Sequence, residues 1–291
     1  MKVVGILLVR NEIDIVFYNI FHHLDVVGFD ELIIGDNGST DGTLRTLHYL
    51  SKLDPRITVI EMAGPYDQSR RVTDLYHLAL DAGADWVVPL DADEFIPLSR
   101  RRFRQLLQSE KFPAIRLGVR NFVQLRHVKR RRLRSVASLA FYARTVDGDG
   151  KKLVESGDIA FVQHVYPNKM IWKADRNLVI HKGNHSGGGV DYTLAEQRFD
   201  LFHAPLRARS SIIDRAARIP RIEDSHPITS WHIRRLHDLD ESAIDEEWRK
   251  NSTIIGSLHV GSGIYCLRPH PFFPLLYARF ALKVRRSILG N

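Results

Sequence analysis

WVVPLDADEF, residues 86–95, is an apolar run that ends on Asp91 and carries a second carboxylate two positions later, at Asp93. A proline within five apolar residues and an abrupt change to acid read as a short buried strand followed by a kink. Two carboxylates one residue apart turn toward a common point if the strand bends there. Hard oxygen ligands of this kind suit Mg or Mn, which take one or two carboxylates and fill their other positions with phosphate oxygens. A bare D-x-D is common and also fits a solvated acidic turn. Its weight here comes from what precedes it.

Upstream, the same strand-then-polar-end pattern recurs three times. KVVGILLV (2–9) is β-branched and apolar, as expected of a strand covered on both faces, and it breaks off at Arg10, Asn11 and Glu12. Ile13, Val16, Phe17, Ile20, Leu24 and Val27 follow at helical spacing, with Gly28 as the stop. ELIIGD (31–36) is a second strand and NGSTDGT (37–43) a turn, since Asn-Gly and Asp-Gly both tolerate positive φ. Thr40 or Asp41 is placed to cap a helix running to about Lys52, RITVIEM (56–62) is a third strand, and a helix from Asp74 to Ala82 leads into DWVVPL. Strands alternating with helices predict βαβ units and a mostly parallel sheet. Ligands of such sheets bind outside the carboxyl ends of the strands. Asn11 and Glu12, Asp36 and Asn37, and Asp91 to Glu94 all fall at those ends.

Beyond Pro97 the alternation loosens. AIRLGVRNFVQL (114–125) and SLAFYART (138–145) read as strands joined by an arginine-rich loop. FVQHVY, MIWKADRNLVIH and the turn NHSGGGV imply further β structure, and helical spacing returns from Thr193. Residues 226–248 read as mostly helical and polar. The tail, 271–289, opens on prolines and continues as an apolar face interleaved with Arg279, Lys283, Arg285 and Arg286.

A chain of 291 residues with 44% hydrophobic and 26% charged side chains can bury a sizeable core, which excludes disorder as its main state. The one cysteine, Cys266, excludes an internal disulfide framework and a Cys-rich zinc site, and agrees with a reducing compartment. No run reaches the ~18 apolar residues of a membrane span, and the Val3–Val9 run is short for a signal-peptide core, so a cytoplasmic protein is expected. The net charge of +8 is concentrated at Arg100 to Arg104, Arg126 to Arg134 and the tail. Such clusters attract nucleic acid, anionic lipid or phosphorylated substrates, or form a solvated basic face. The 126–134 run lacks interleaved aromatics for base stacking, so no nucleic-acid partner is expected.

The order LLVRNE (7–12), IIGDNGSTDGT (33–43), ADWVVPLDADEF (84–95) resembles the family 2 glycosyltransferases with the GT-A fold, in the branch with a DNGSSDGT-type turn. WKADRNLVIHKGNH (172–185) and LFHAPLRARSSIIDRA (201–216) resemble later segments of that branch. The resemblance implies a Rossmann-like α/β nucleotide-diphospho-sugar transferase fold, with a central mostly parallel sheet and helices on both faces. It divides the chain into a catalytic domain at 1–205 and a helical extension with a basic amphipathic tail at 206–291. Within the former, 1–98 is the nucleotide-sugar half and 99–205 the acceptor and metal half.

The implied activity is transfer of a sugar from a nucleotide-diphosphate sugar to a glycan or lipid-linked acceptor, with a divalent metal (Mn or Mg) and inversion, in surface polysaccharide synthesis. By the resemblance Val9, Asn11 and Glu12 line the base and ribose, Asp36 accepts hydrogen bonds from the base, and Asn37 to Thr40 shape the pocket. Arg71 (or Arg70) faces the nucleotide, Asp91 lies near ribose and metal, and Asp93 is the metal ligand. Asp36-Asn37 departs from the family's Asp-Asp pair, and the proline ahead of Asn-Glu is missing. Among 14 histidines, His203 and His185 are the candidates for an added metal ligand, with the hydrogen-bonded structural histidine as the competing reading. Lys173 is a candidate phosphate contact, with a strand-surface lysine as the alternative. The general base that an inverting transfer needs is sought in Glu155 and Asp158, which also read as solvated loop acids. Contact of the tail with the inner face of a membrane is a further expectation. A nucleotidyltransferase and a nucleic-acid-binding protein are the rival readings; the first wants a Gly-rich basic signature that VRNEIDIV lacks.

Overall fold

Four segments of the first ninety residues pair as parallel strands; three are buried along nearly their whole length and must satisfy their backbone within the sheet, and the fourth, Ile57–Glu61, is a half-exposed edge strand. The structure is a computed structural model that describes all residues except 63, 65, 66, 218–230, 238, 255–258, 261–263, 266–269, 290 and 291. The side chains of 259, 260, 264, 265 and 286–289 are also outside the described set. The chain divides into two units: Met1–Val119 with Pro167–Phe202, and Arg120–Tyr166 with His203–Asn291.

In the first unit β1 (Val3–Val9) is central. It pairs in parallel with β2 (Glu31–Asp36) on one side and β4 (Trp86–Leu90) on the other, while β3 (Ile57–Glu61) pairs with β2. The register sets Val9 beside Asp36 and Leu7 beside Leu90, so the polar residues that follow each strand emerge along one sheet edge. Gly5 is needed in β1: a Cβ there would lie 2.5 Å from Leu32 Cδ2 and 2.6 Å from the Phe29 ring.

The connecting helices are α1 (Val16–Phe21), α2 (Thr43–Leu53) and α3 (Gln68–Asp81). Val4, Ile6, Ile33, Val72, Leu75, Tyr76 and Val87 form one core between α3 and the sheet. Helix α1 starts later than the spacing predicts and continues as a π-wound turn, His22–Val27, closed by left-handed Gly28 at φ 84°. Helix α3 begins six residues before the predicted Asp74. Asp67 caps it by accepting from Arg70 N, and the polar first turn QSRR gives no apolar period to read. The cap of α2 expected at Thr40 or Asp41 falls on left-handed Gly42, and Asp41, one residue earlier, accepts from both Thr43 N and Thr43 Oγ1.

The sheet continues past β4 in the order β8 (Lys169–Lys173), β6 (Ala114–Leu125), β12 (Asp200–His203) and β5 (Glu94–Phe95). Strand β8 runs antiparallel to β4, with Trp86 opposite Lys173 and Val87 opposite Trp172. Two-residue strands β9 (Val179–Ile180) and β10 (Gly187–Gly188) form a hairpin around the glycine-rich turn. Helix α4 (Arg100–Ser109) uses part of the first arginine cluster internally: Arg104 donates to Gly28 O and Asp30, and Arg100 to Leu24 O. The helical spacing read from Thr193 is not realised there. Leu194–Ala195 pairs with β6 at Ala114–Ile115, β12 follows, and the next helix, α6, spans Ser210–Ala216. Strand pairing overrides local periodicity over these few residues.

In the second unit the end of β6 pairs with Phe141–Tyr142 and with Ser252–Thr253. Helices α5 (Gly150–Glu155), α6, α7 (Trp231–Arg234), α8 (Glu241–Lys250) and α9 (Phe272–Leu289) complete it. Val123, Phe161, Val162, Ile212, Leu236 and Trp248 form its core, and Trp248 Nε1 donates to Arg126 O at 2.8 Å. Of the predicted helical stretch 226–248, residues 226–230 and 238 lie outside the described residues.

Candidate active site

The loop after β4 is held from beneath by a buried polar network. The side-chain amide of Asn19, fully buried on α1, donates to Asp91 O at 3.3 Å, Ala92 O at 3.0 Å and Glu94 O at 2.8 Å. His23 Nδ1 donates to Asn19 O at 2.9 Å, and His23 Nε2 accepts from Ile96 N at 3.3 Å. His22 Nε2 donates to Ile96 O at 2.7 Å. This pattern requires neutral His23, protonated on Nδ1, and burial with the neighbouring His22 charge holds its pKa well below the ordinary value. Three polar residues of NIFHH, inconspicuous in the sequence, thus fix the backbone that presents Asp91 and Asp93.

Above that loop stands an ion cluster that sequence reading missed. Lys169 Nζ lies 2.7 Å from Asp91 Oδ2 and 2.9 Å from Glu94 Oε1, with the Lys169 side chain 5% exposed and Glu94 1%. Glu94 Oε2 in turn accepts from Asp91 N at 2.9 Å. Burial works against the ammonium, but the attraction of Asp91 and Glu94 and the hydrogen bonds to them prevail and raise its pKa above that of a free lysine. Lys173, the expected phosphate contact, is at the other end of the same strand. Its Nζ donates to Glu110 O at 2.9 Å and lies over the Trp86 ring at 5.3 Å. Because β8 is antiparallel to β4, its first residue, not its last, meets the carboxylate end.

The second strand end carries a different feature. Asp36 is buried at 1% exposure. Its Oδ1 accepts from Ser39 N at 2.8 Å, while Oδ2 is buried with no hydrogen-bond partner among the described residues. Next to it Asn37 N donates to Val9 O at 2.8 Å, and Asn37 Oδ1 accepts from buried Arg71. Asn11, at φ 54°, ties the two loops together: its N donates to Ser39 Oγ at 3.0 Å and its Oδ1 accepts from Thr40 N at 2.7 Å. Glu12 N donates to Thr43 Oγ1 at 3.0 Å. Val9, Asn11, Glu12, Asp36, Asn37, Arg71 and Asp91 therefore line one continuous edge of the first unit, with half-buried Asp93 on the loop after β4.

His185 is in the same unit. Its Nδ1 donates to Asn168 O at 3.0 Å, and burial, with the nearby Lys169 charge, lowers its pKa to about 4. It is neutral at pH 7, with Nε2 as the acceptor nitrogen. His203 belongs to the second unit, buried with Nδ1 2.8 Å from Asn121 Oδ1 and edge-on to Tyr166. Glu155 and Asp158 also lie in the second unit, on its surface. Glu155 is 3.9 Å from Lys151 Nζ, and Asp158 Oδ2 accepts from Ser156 Oγ at 2.6 Å. Among the described residues no three His, Cys, Asp or Glu side chains gather as a metal cage.

The depressed histidines make stability depend on pH with a definite sign. His185 has its folded pKa lowered to about 4 and His232, in the second unit, to about 3, with burial the leading cause in both. The unfolded chain then binds more protons than the folded one below about pH 6.5. Stability is full above that value and falls as the pH drops toward 4. Urea unfolding at pH 7.5, 6 and 4.5 should show this decline, and His185→Gln should reduce it. A flat profile in the parent protein would contradict the burial of these rings.

The carboxyl edge of the parallel strands, where ligands of such sheets bind, thus gathers paired carboxylates, a buried lysine and a buried carboxylate oxygen with no partner among the described residues. Residues 15–146 match the family model described as Glycosyl transferase family 2. That segment, a little under half of the chain, is of the glycosyltransferase family 2 type, and the mixed α/β fold with its mostly parallel sheet agrees with the GT-A fold. The match begins after β1 and ends before Lys169 and His185. Among solved structures the chain is similar to S. aureus TarS 1–349, at 12% identity over 86% of this chain and 70% of that one, TM-score 0.42. The same TarS fragment in complex with UDP aligns at 11% identity and TM-score 0.40, with the same coverages of 86% and 70%. HddC from Yersinia pseudotuberculosis aligns at 15% identity over 41% of this chain and 59% of that one, TM-score 0.31. Comparison with the curated proteins found no match. No helix among the described residues is long and apolar enough to cross a membrane.

Proposed function

We propose that the chain transfers a sugar, with inversion, from a nucleotide-diphosphate sugar to a glycan or lipid-linked acceptor of a surface polysaccharide. The observation that carries the donor half of this reading is Asp36: a buried carboxylate with one oxygen lacking a donor, at the end of β2. Leaving such an acceptor unpaired is costly, and the N–H groups of a nucleobase would satisfy it. In this reading Asn37 and Arg71 close the side of the base pocket, and Val9, Asn11 and Glu12 form its floor. Lys169 holds one oxygen of Asp91, which orients the other toward the ribose.

The residues fit a divalent metal of the Mg or Mn type. Such an ion needs only one or two carboxylates when diphosphate oxygens and water complete its shell, so the lack of an all-protein cage is no obstacle. Asp93, with Asp91, would hold it, and the neutral Nε2 of His185 would be the added ligand within this unit. When bound, the ion supplies neutralisation of the charge that builds on the leaving diphosphate. Glu155 or Asp158 remains the proposed base that takes the acceptor's proton, and His203 the alternative metal ligand. The division into a donor half at 1–98, an acceptor half at 99–205 and a helical extension is likewise proposed.

Titration calorimetry of UDP and GDP, each with and without Mn, is the test. One nucleotide should bind in the presence of Mn, and Asp93→Ala should abolish the metal-dependent part of the affinity. Failure of every nucleotide to bind the folded protein would overturn the donor-site reading.

A further inference from the structure

Two basic segments that are far apart in the sequence meet in the second unit. The turn Leu133–Ser138 packs against α9, and between them lies an apolar groove of about 610 Å³ lined by Leu133, Arg134, Tyr277, Ala281, Val284 and Arg285. Helix α9 has a clear inner face: Phe273, Leu276 and Phe280 are buried at 0%, 3% and 7%. On the opposite side, half a helical turn away, are Leu275 and Leu282, 56% and 55% exposed. They are seven residues apart and so form one crest. Exposed Arg279 and Arg285 flank it on either side, and neither makes an ion pair among the described residues. Exposed Leu133, with Lys129, Arg130, Arg132 and Arg134, extends the same chemistry along the adjoining turn.

Two leucines at the centre of the outer face add nothing to the packing of α9 on its own domain. A solvated basic face has no use for them either. Leucines standing proud between exposed arginines match the depth profile of a lipid interface, with apolar groups at the acyl boundary and cations at the headgroups. The 18-residue helix is about 27 Å long and is cut by charge too often to span, so it would lie flat. We infer that the outer face of α9, together with the 129–134 turn, docks the protein on an anionic bilayer surface. Nucleic acid would use the cations but not the leucines, and a second copy of the chain would bring like charge against like. The inference does not rest on the donor-site reading.

Co-sedimentation of the full chain with phosphatidylcholine vesicles and with phosphatidylcholine–phosphatidylglycerol vesicles tests it. Binding should be confined to the anionic vesicles and weaken with salt. Each of Arg279→Ala and Arg285→Ala should reduce it about fivefold. The double variant Leu275→Glu/Leu282→Glu should abolish it. Both leucines are exposed, so the circular dichroism spectrum and melting temperature should not change. Undiminished binding by the leucine variant, or no binding to anionic vesicles by the parent protein, would overturn the inference. So would a concentration-dependent dimer that the leucine variant dissolves.

Discussion

Lys169→Met is expected to lower the unfolding free energy by about 3–5 kcal/mol, because it removes a buried cation that pairs with two carboxylates, one of them fully buried. Methionine fills a similar volume, so the loss reports charge and not a cavity. Adding Glu94→Gln should recover part of the stability by deleting the buried carboxylate charge that Lys169 had faced. Nucleotide affinity should stay low in the double variant, since Asp91 would still lack its clamp. The sign of the pH response separates this effect from that of the histidines. Lys169 has a raised folded pKa, so its contribution is complete below the unfolded lysine value of about 10.4 and declines only as pH rises through the folded one. The deficit of the variant should therefore be constant between pH 5 and 9. A loss under about 1 kcal/mol would mean the cluster is solvated and weak.

Asp36→Asn should behave in the opposite way. The asparagine keeps the acceptor for Ser39 N and replaces an unpartnered, buried charged oxygen with a neutral amide. Stability is expected to hold or rise slightly, because a solitary buried charge is relieved. Nucleotide affinity should fall by about 10- to 100-fold, the cost of losing a charge-assisted hydrogen bond and presenting a donor to a donor. Calorimetry and thermal melting on one preparation check both halves. A strongly destabilised Asp36→Asn would place Asp36 in the framework, and unchanged affinity would remove it from the base pocket.

The parallel half of the sheet was legible because β1, β2 and β4 are apolar runs, buried on both faces, that end on polar residues, while the edge strand β3 was read from its β-branched residues Ile57, Thr58, Val59 and Ile60. Asp36, Asp91 and Asp93 could be read for the same reason. Lys169 could not. It pairs with carboxylates 78 and 75 positions away, and nothing in NKMIWK distinguishes it from Lys173. Only strand direction does so: both side chains lie on one face of β8, but four residues separate them by about 13 Å. Lys173 stands in the WKADR segment, but β8 runs antiparallel to β4 and so brings Lys169 to the carboxylate end in its place. Asn19 and His23 were hidden by their helical period, in which a buried polar residue is indistinguishable from a solvated one. The start of α3 is not legible because the turn after its cap Asp67, QSRR, is polar throughout and carries no apolar period.

The π-wound turn at His22–Val27 has a consequence for how this gene tolerates change. One extra residue is accommodated there without lengthening the helix, with Gly28 N reaching His23 O at 2.9 Å. Loss of a single codon within 24–27 would let the segment relax to ordinary α winding and leave the chain beyond it in register, because the turn already absorbs one residue. Phe29 would keep its stack on His23, and the imidazole its plane against Ile96. A single-codon loss at 16–18 would instead turn Asn19, His22 and His23 by about 100° out of the network beneath the loop after β4. In-frame deletions should therefore be borne at 24–27 and not at 16–18, although neither segment contacts a proposed substrate atom. A library of single-codon deletions scored for soluble, nucleotide-binding protein would show a gap at the start of α1 and tolerance at this turn.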